Sequence, residues 1–194
     1  MAQLYSTRSR QSWGIGDAAD LAEMGSLFGE LGADFLLVNP LHAAEPIEPM
    51  SPSPYLPVTR RFFNPVYIRP EDIREVAYLS GPERSLVTWA SENVKKMSLE
   101  NELIERDAAW KAKREALDVI FAAGRSQARQ RDFDRFREME GQGLEDFALW
   151  CALVEKYGDE FPDQLRDINS PHVARERREL ADRVDFWAWL QWVM

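Results

Sequence analysis

The apolar positions change period early in the chain, and that change sets the first prediction. Over residues 17–31, Leu21, Met24, Leu27 or Phe28, and Leu31 recur at the spacing of one helix face. Asp17 is placed to cap the amino end, and Asp20 adds a carboxylate to the first turn, where the helix dipole favours it. Gly25 and Gly29 lower the helical propensity, and Gly32 stands where a left-handed cap ends a helix. The pattern then becomes continuous. Phe35, Leu36, Leu37 and Val38 follow one another and stop at Asn39-Pro40, which predicts a strand buried on both faces, as in a parallel sheet. Helix, glycine and buried strand form half of a βαβ unit. The strand before it would be Gln3, Leu4 and Tyr5 at the very start, so a sheet already under way is expected, with its beginning missing from this chain. In parallel α/β architectures ligands sit beyond the carboxyl ends of the strands, which directs attention to Asn39 and onward.

From residue 82 the pattern is helical almost throughout. Helices are expected over 82–97, over 104–123 with Trp110, Leu117 and Phe121 on one side, over 126–140 and over 144–157. Gly124, Gly141, Gly143 and Gly158 punctuate them, and Ser170-Pro171 is a cap-then-proline start. Pro70 opens a short helix earlier in the chain. The final stretch, 184–194, carries Phe186, Trp187, Trp189, Leu190, Trp192 and Val193 and leaves almost no polar face. A helix apolar all round is buried in a larger body. The preceding helices offer few wholly apolar faces to receive it, so the natural chain is expected to continue and this one to be a fragment.

Composition narrows the function classes. The 194 residues suffice for one domain and a small appendage. Acids outnumber bases 33 to 24, a net charge of −9, which argues against a nucleic-acid groove. The single cysteine, Cys151, cannot form an internal disulfide and points to a reducing, cytoplasmic setting. The polar first residues are not a signal peptide, and no apolar run approaches membrane-spanning length. His42, Cys151 and His172 lack metal-ligand spacing, and neither a Gly-rich phosphate loop nor a nucleophile elbow appears, so neither metal nor cofactor is expected. Seven Trp and ten Phe are many, and aromatic rings stack on sugars as well as building cores.

Three features remain as candidate chemistry. Trp13-Gly14-Ile15-Gly16-Asp17 fits an anion-binding helix start or, preferably, a tight turn with Trp13 packed over it. His42, just past the strand end, fits a ligand contact or a hydrogen-bonded structural histidine. In Ser51-Pro52-Ser53-Pro54-Tyr55-Leu56-Pro57, three prolines stiffen a loop that holds one tyrosine, either presented to a ligand or folded onto its own prolines.

The chain resembles the amino-terminal part of the catalytic barrel of the 4-alpha-glucanotransferases, the amylomaltase or disproportionating enzyme family. The resemblance rests on Gln3-Leu4-Tyr5-Ser6, Trp13-Gly14-Ile15-Gly16-Asp17, Gly32-Ala33-Asp34, Asn39-Pro40-Leu41-His42, Ser53-Pro54-Tyr55 and Asn64-Pro65. It continues in Asp146-Phe147-Ala148-Leu149-Trp150 and Trp189-Leu190-Gln191-Trp192. It implies an α/β parent fold, a (β/α)8 barrel, with a mostly helical fragment holding one or two short parallel strands. Residues 1–81 would supply the first strands and loops, and residues 82–194 a helical insertion and the following barrel helix. It also implies retaining transfer of alpha-1,4-glucan segments between maltooligosaccharides or glycogen-type glucans. The two catalytic carboxylates of such chemistry would lie on later strands, outside this fragment. Tyr55 would stack on a glucose near the cleavage point, with Ser53, Asn39 and His42 beside it, and the fragment's partner would be the remainder of its own barrel. The rival reading is a non-catalytic helical module that binds a protein or a glucan, with 186–193 as its apolar end face.

Overall fold

The computed structural model describes residues 1–100, 103–158 and 160–194. The chain divides into two compact units. The first comprises Met1–Ala44 and Ser51–Gly124 with Met194; the second comprises Glu45–Met50 and Arg125–Val193.

In the first unit, helix α1 spans Ala18–Glu30, close to the predicted 17–31. Asp17 accepts from the backbone N–H of Ala19 and Asp20 at 3.0 and 3.1 Å, and the Asp20 carboxylate accepts from Asp17 N–H at 3.0 Å, a reciprocal capping box. Gly32 ends the helix at φ +87°. The predicted inward face is half-buried at Leu21 and Met24 and bare beyond them. Leu27, Phe28 and Leu31 are exposed, and the residue that α1 buries is Asp20.

The strand prediction also needs correction. Among the described residues pairing amounts to two isolated bridges, Ala2 with Val38 in parallel and His42 with Phe63 antiparallel, and no longer strand forms. The parallel bridge does join the two segments the sequence nominated, with Ala2 N–H donating to Leu37 O at 2.8 Å. But Phe35 is 83% exposed and Leu37 57%. A run apolar on both sides is interior only when flanked on both sides, and here one short segment pairs with it.

The turn before α1 is tightly built. Trp13 is fully buried, and its indole N–H donates to both carboxylate oxygens of Glu71 at 2.9 and 2.8 Å. Lys95 pairs with Glu71 at 2.8 Å and sits 5.5 Å above the Trp13 ring. A Cβ on Gly16 would lie 2.4 Å from the Leu4 carbonyl oxygen, so only glycine fits there. The α1 amino end is occupied by its own aspartates, in line with the turn reading of this motif.

Arg69 anchors that turn. Its guanidinium contacts Asp17 at 2.9 Å and Asp20 at 2.7 Å, with all three side chains buried. Arg69 lies among three 3-10 turns, Pro65–Tyr67, Pro70–Asp72 and Arg74–Tyr78. Helices α2, Gly81–Glu100, and α3, Arg106–Ala122, then form a hairpin. From α3 the fully buried Lys113 ammonium donates to the Val66 carbonyl at 2.6 Å.

The second unit is helical. It contains α4, Gln127–Glu140, α5, Gln142–Tyr157, α6, Pro171–Glu179, and α7, Ala181–Val193. Gly141 and Gly158, at φ +63° and +75°, separate and end them. The preceding helices were expected to offer few wholly apolar faces to the aromatic last helix, yet α5 provides one. Phe186, Trp187, Ala188, Trp189 and Leu190 are buried, and α7 packs principally on α5. On α5 the residues Leu144, Ala148, Leu149, Cys151, Ala152, Leu153 and Val154 are buried, so the helix is apolar on more than one side. The apolar end face of the rival reading is therefore not available. At its edge Arg183 holds Glu155 at 2.6 Å, and Trp187 N–H donates to the same carboxylate at 3.1 Å. Cys151 is free and buried, and burial pushes its thiol up.

Arg69→Met would leave Asp17 and Asp20 buried without their countercharge. The expected result is a loss of about 3–5 kcal/mol of protection in the first turn of α1, read by hydrogen exchange of the amides of Ala19 and Asp20. Unchanged exchange would show that the pairing does not hold the turn.

Candidate functional site

The site is built from the end of the bridged segment. Asn39 is buried, and its side chain is engaged inside the protein. Oδ1 accepts from Leu4 N–H at 2.6 Å, while Nδ2 donates to Pro40 O at 2.8 Å and to the Tyr67 hydroxyl at 3.4 Å. The amide thus ties the chain start, the segment end and the 3-10 turn at Pro65–Tyr67. Tyr67 is 2% exposed, and burial raises its hydroxyl above the ordinary value, against the Asn39 hydrogen bond and the charge of Arg106.

Over this base lies an open aromatic rim. Tyr55 is 52% exposed and meets Tyr5 edge-on, ring centres 6.4 Å apart and planes at 87°. The guanidinium of Arg106, from the first turn of α3, lies 5.9 Å from the Tyr5 ring centre. Ser53 sits on the surface as part of a stiffened turn. Its hydroxyl accepts from Tyr55 N–H at 3.4 Å, and Ser51 Oγ donates to Ser53 O at 3.2 Å. His42 is half-buried and placed by the backbone pairing with Phe63, where Ala43 N–H donates to Phe62 O at 2.8 Å and Asn64 N–H to Leu41 O at 2.9 Å.

The structure therefore brings Tyr55 and Asn39 to one constellation, with Ser53 behind Tyr55. Tyr5, Tyr67 and Arg106 are additions that the sequence reading did not single out as site residues. Tyr5 lies within the quoted block Gln3-Leu4-Tyr5-Ser6 and Tyr67 follows Asn64-Pro65; nothing local marks Arg106. Chemically, the rim offers ring faces and edges for C–H surfaces, phenolic hydroxyls and a cationic donor, a set suited to a polyhydroxyl ligand. Asp17 and Asp20 are buried against Arg69 and are not an acid/base pair open to a substrate. Among the described residues no three His, Cys, Asp or Glu side chains converge to hold a metal, and no helix is long and apolar enough to cross a membrane.

Comparison with known proteins assigns the family. A profile of the 4-alpha-glucanotransferases matches residues 2–194. The chain belongs to the 4-alpha-glucanotransferase family. It is 46% identical to the 4-alpha-glucanotransferase of Mycobacterium tuberculosis over 98% of its own length, and 28% identical to that of Haemophilus influenzae, again over 98%. Among solved structures, amylomaltase from Corynebacterium glutamicum superposes over the whole chain with a TM-score of 0.85 and 42% identity. Amylomaltase from Streptococcus agalactiae, determined with acarbose, superposes over 99% with a TM-score of 0.76 at 15% identity and speaks to fold alone. The chain spans 27% of the mycobacterial relative and 26% of the corynebacterial chain, and so corresponds to part of the family's barrel.

One titrating group supports the base of this constellation. Burial pushes Lys113 down to about 8; Asp17, Asp20 and Glu71 oppose the shift and Arg69 adds to it. The unfolded chain then binds this proton more tightly than the folded one. Through Lys113 alone, stability rises with pH from about 8 toward the ordinary value of 10.5. Relative to Lys113→Met, the wild type should gain about 1 kcal/mol per pH unit in that window, measured as the difference in urea unfolding between the two proteins. Parallel pH profiles would show that burial leaves Lys113 unshifted, so that it keeps its proton through this window in the folded protein as in the unfolded one.

Proposed function

We propose that this chain is the amino-terminal part of the catalytic barrel of a 4-alpha-glucanotransferase. The whole protein transfers alpha-1,4-glucan segments between maltooligosaccharides by a retaining covalent mechanism in the cytoplasm, without metal or cofactor. The observation that carries this reading is the open Tyr5–Tyr55 rim over the fixed Asn39–Tyr67 base at the end of a parallel-paired segment. That is where a parallel α/β fold binds its ligand.

In this reading Tyr55 stacks on the C–H face of a glucose unit, and Ser53 fixes the backbone that presents it. His42, three residues past Asn39, would contact the sugar from the bridge with Phe63. Asn39, already satisfied by Leu4, Pro40 and Tyr67, acts by holding the wall in place. Residues 82–194 supply a helical insertion and a following barrel helix. The bare face of α1, with Phe35 and Leu37, is where the remainder of the barrel packs. Retaining transfer needs two carboxylates about 5 Å apart, and these belong to that remainder.

Two outcomes follow. The 194 residues alone should release no glucose from maltotriose; release would place the catalytic carboxylates inside this chain. In protein labelled with 3-fluorotyrosine, the Tyr55 resonance, assigned with Tyr55→Phe, should move on titration with maltohexaose. A stationary resonance removes the glucan role of this face.

A further inference from the structure

Among the described residues Lys113 is the only buried lysine, and its burial is complete. Burying an ammonium costs several kcal/mol, and an apolar side chain of similar length fills the same space without that cost. Two demands call for a charge at this position. The first is to balance Asp17 and Asp20 against the single guanidinium of Arg69. An ammonium placed for that purpose alone would meet a carboxylate, as Arg69 does at 2.9 and 2.7 Å. Lys113 instead gives its hydrogen bond to the Val66 carbonyl at 2.6 Å and acts on the aspartates through its charge. The second demand therefore lies at Val66, inside the 3-10 turn that carries Tyr67. The Tyr67 hydroxyl accepts from Asn39 Nδ2 at 3.4 Å, whereas Asn39 Oδ1 accepts from Leu4 N–H at 2.6 Å. The link through Tyr67 is the long one in the base, and it is the one that the Val66 backbone sets.

We propose that Lys113 is a positioning residue of the candidate site: its ammonium, by holding the Val66 carbonyl, keeps Tyr67 against Asn39, and the ligand binds more weakly once that ammonium loses its proton. The proposal rests on the glucan reading given above. A charged donor makes the stronger bond to a carbonyl, and the neutral amine that replaces it holds Val66 less firmly. The charges that act on Lys113 are Asp17 and Asp20 at the start of α1, and Arg69 and Glu71 in the turns. The residues that α2 buries against the hairpin carry none. The turns packed on α3 also bury Glu75 and Tyr67, and burial holds the Tyr67 hydroxyl above its ordinary value of 10. Lys113 loses its proton at about 8, so its step is separate from that of Tyr67.

Stability and binding respond to this step with opposite signs, which separates positioning from support. As pH rises through about 8 the folded chain gains stability through Lys113, because the charge no longer has to stay buried. A lysine that only supports the fold leaves binding unchanged or firmer across that window; a positioning lysine weakens it. The test uses the 194-residue chain labelled with 3-fluorotyrosine and with 13C at lysine Cε, titrated with base in the presence and absence of maltohexaose. One lysine resonance should titrate near pH 8, and the Tyr67 resonance, assigned with Tyr67→Phe, should move with the same midpoint. Maltohexaose affinity, read at Tyr55, should fall about fivefold across the step, and by reciprocity saturating maltohexaose should raise the lysine midpoint. Lys113→Arg, which stays charged, should show no step. Should that variant not fold, coincidence of the lysine, Tyr67 and affinity midpoints in the wild type decides. If affinity is the same on both sides of the lysine step, Lys113 is structural only and the proposal is overturned, whether or not Tyr67 moves. A step that persists in Lys113→Arg belongs to another group and overturns it equally. If Tyr67 follows the lysine but Tyr55 ignores maltohexaose at every pH, the glucan reading has failed and the proposal falls with it.

Discussion

The buried contact of Arg69 with Asp17 and Asp20 is the constraint on which the first unit depends. Burying a charge costs several kcal/mol unless it is paired and hydrogen-bonded. Two carboxylates, one guanidinium and the nearby Lys113 ammonium form a cluster whose formal charges cancel. The cluster joins elements far apart in sequence: the start of α1, the turns around residue 69, and α3. It fixes α1 by its polar amino end, which explains how that helix keeps its place while Leu27, Phe28 and Leu31 lie in solvent. Burial still holds the Asp17 carboxyl above its ordinary value despite the Arg69 and Lys113 charges, so desolvation outweighs pairing at that residue.

Local punctuation was legible. Asp17, Gly32, Gly124, Ser126, Gly158 and Ser170 mark helix ends because each acts on backbone groups within a few residues, and the structure uses all six in that way. The pairing of the chain start with Val38 was legible too, since it needs only a parallel neighbour for a short apolar run. What periodicity does not report is whether the partner of an apolar face is present. Leu27, Phe28 and Leu31 have the spacing of a buried stripe and are bare. Phe186 to Leu190 were read as lacking a receiver and are buried. In the second case the small side chains Ala148, Cys151 and Ala152 are buried on α5, and small side chains let large rings approach closely.

The candidate site divides along the same line. Tyr55 stood out because its proline-rich setting is local. Tyr67 and Arg106 did not, because their relation to Asn39 and Tyr5 spans 28 and about a hundred residues and exists only once the chain has folded. Lys113 reads in sequence as one more charge on a helix surface, and its burial follows from a single long-range acceptor, the Val66 carbonyl.

That acceptor links the constraint to the site. Lys113 holds Val66, the residue before Tyr67; the Tyr67 hydroxyl takes a hydrogen bond from Asn39; and Asn39 in turn holds Leu4, beside Tyr5. Each link joins buried groups, two of them at 2.6 Å and the Asn39–Tyr67 one at 3.4 Å, so the base under the aromatic rim is set before any ligand arrives. This matters for a sugar, because every hydroxyl it brings is already well hydrated and each new hydrogen bond is nearly an exchange. Net affinity then depends on how little freedom the protein loses on binding. A rim of tyrosines with few rotatable bonds, standing on a base already locked by its own hydrogen bonds, keeps that loss small. The charged cluster beneath α1 therefore contributes to recognition by holding the base still, without touching the ligand.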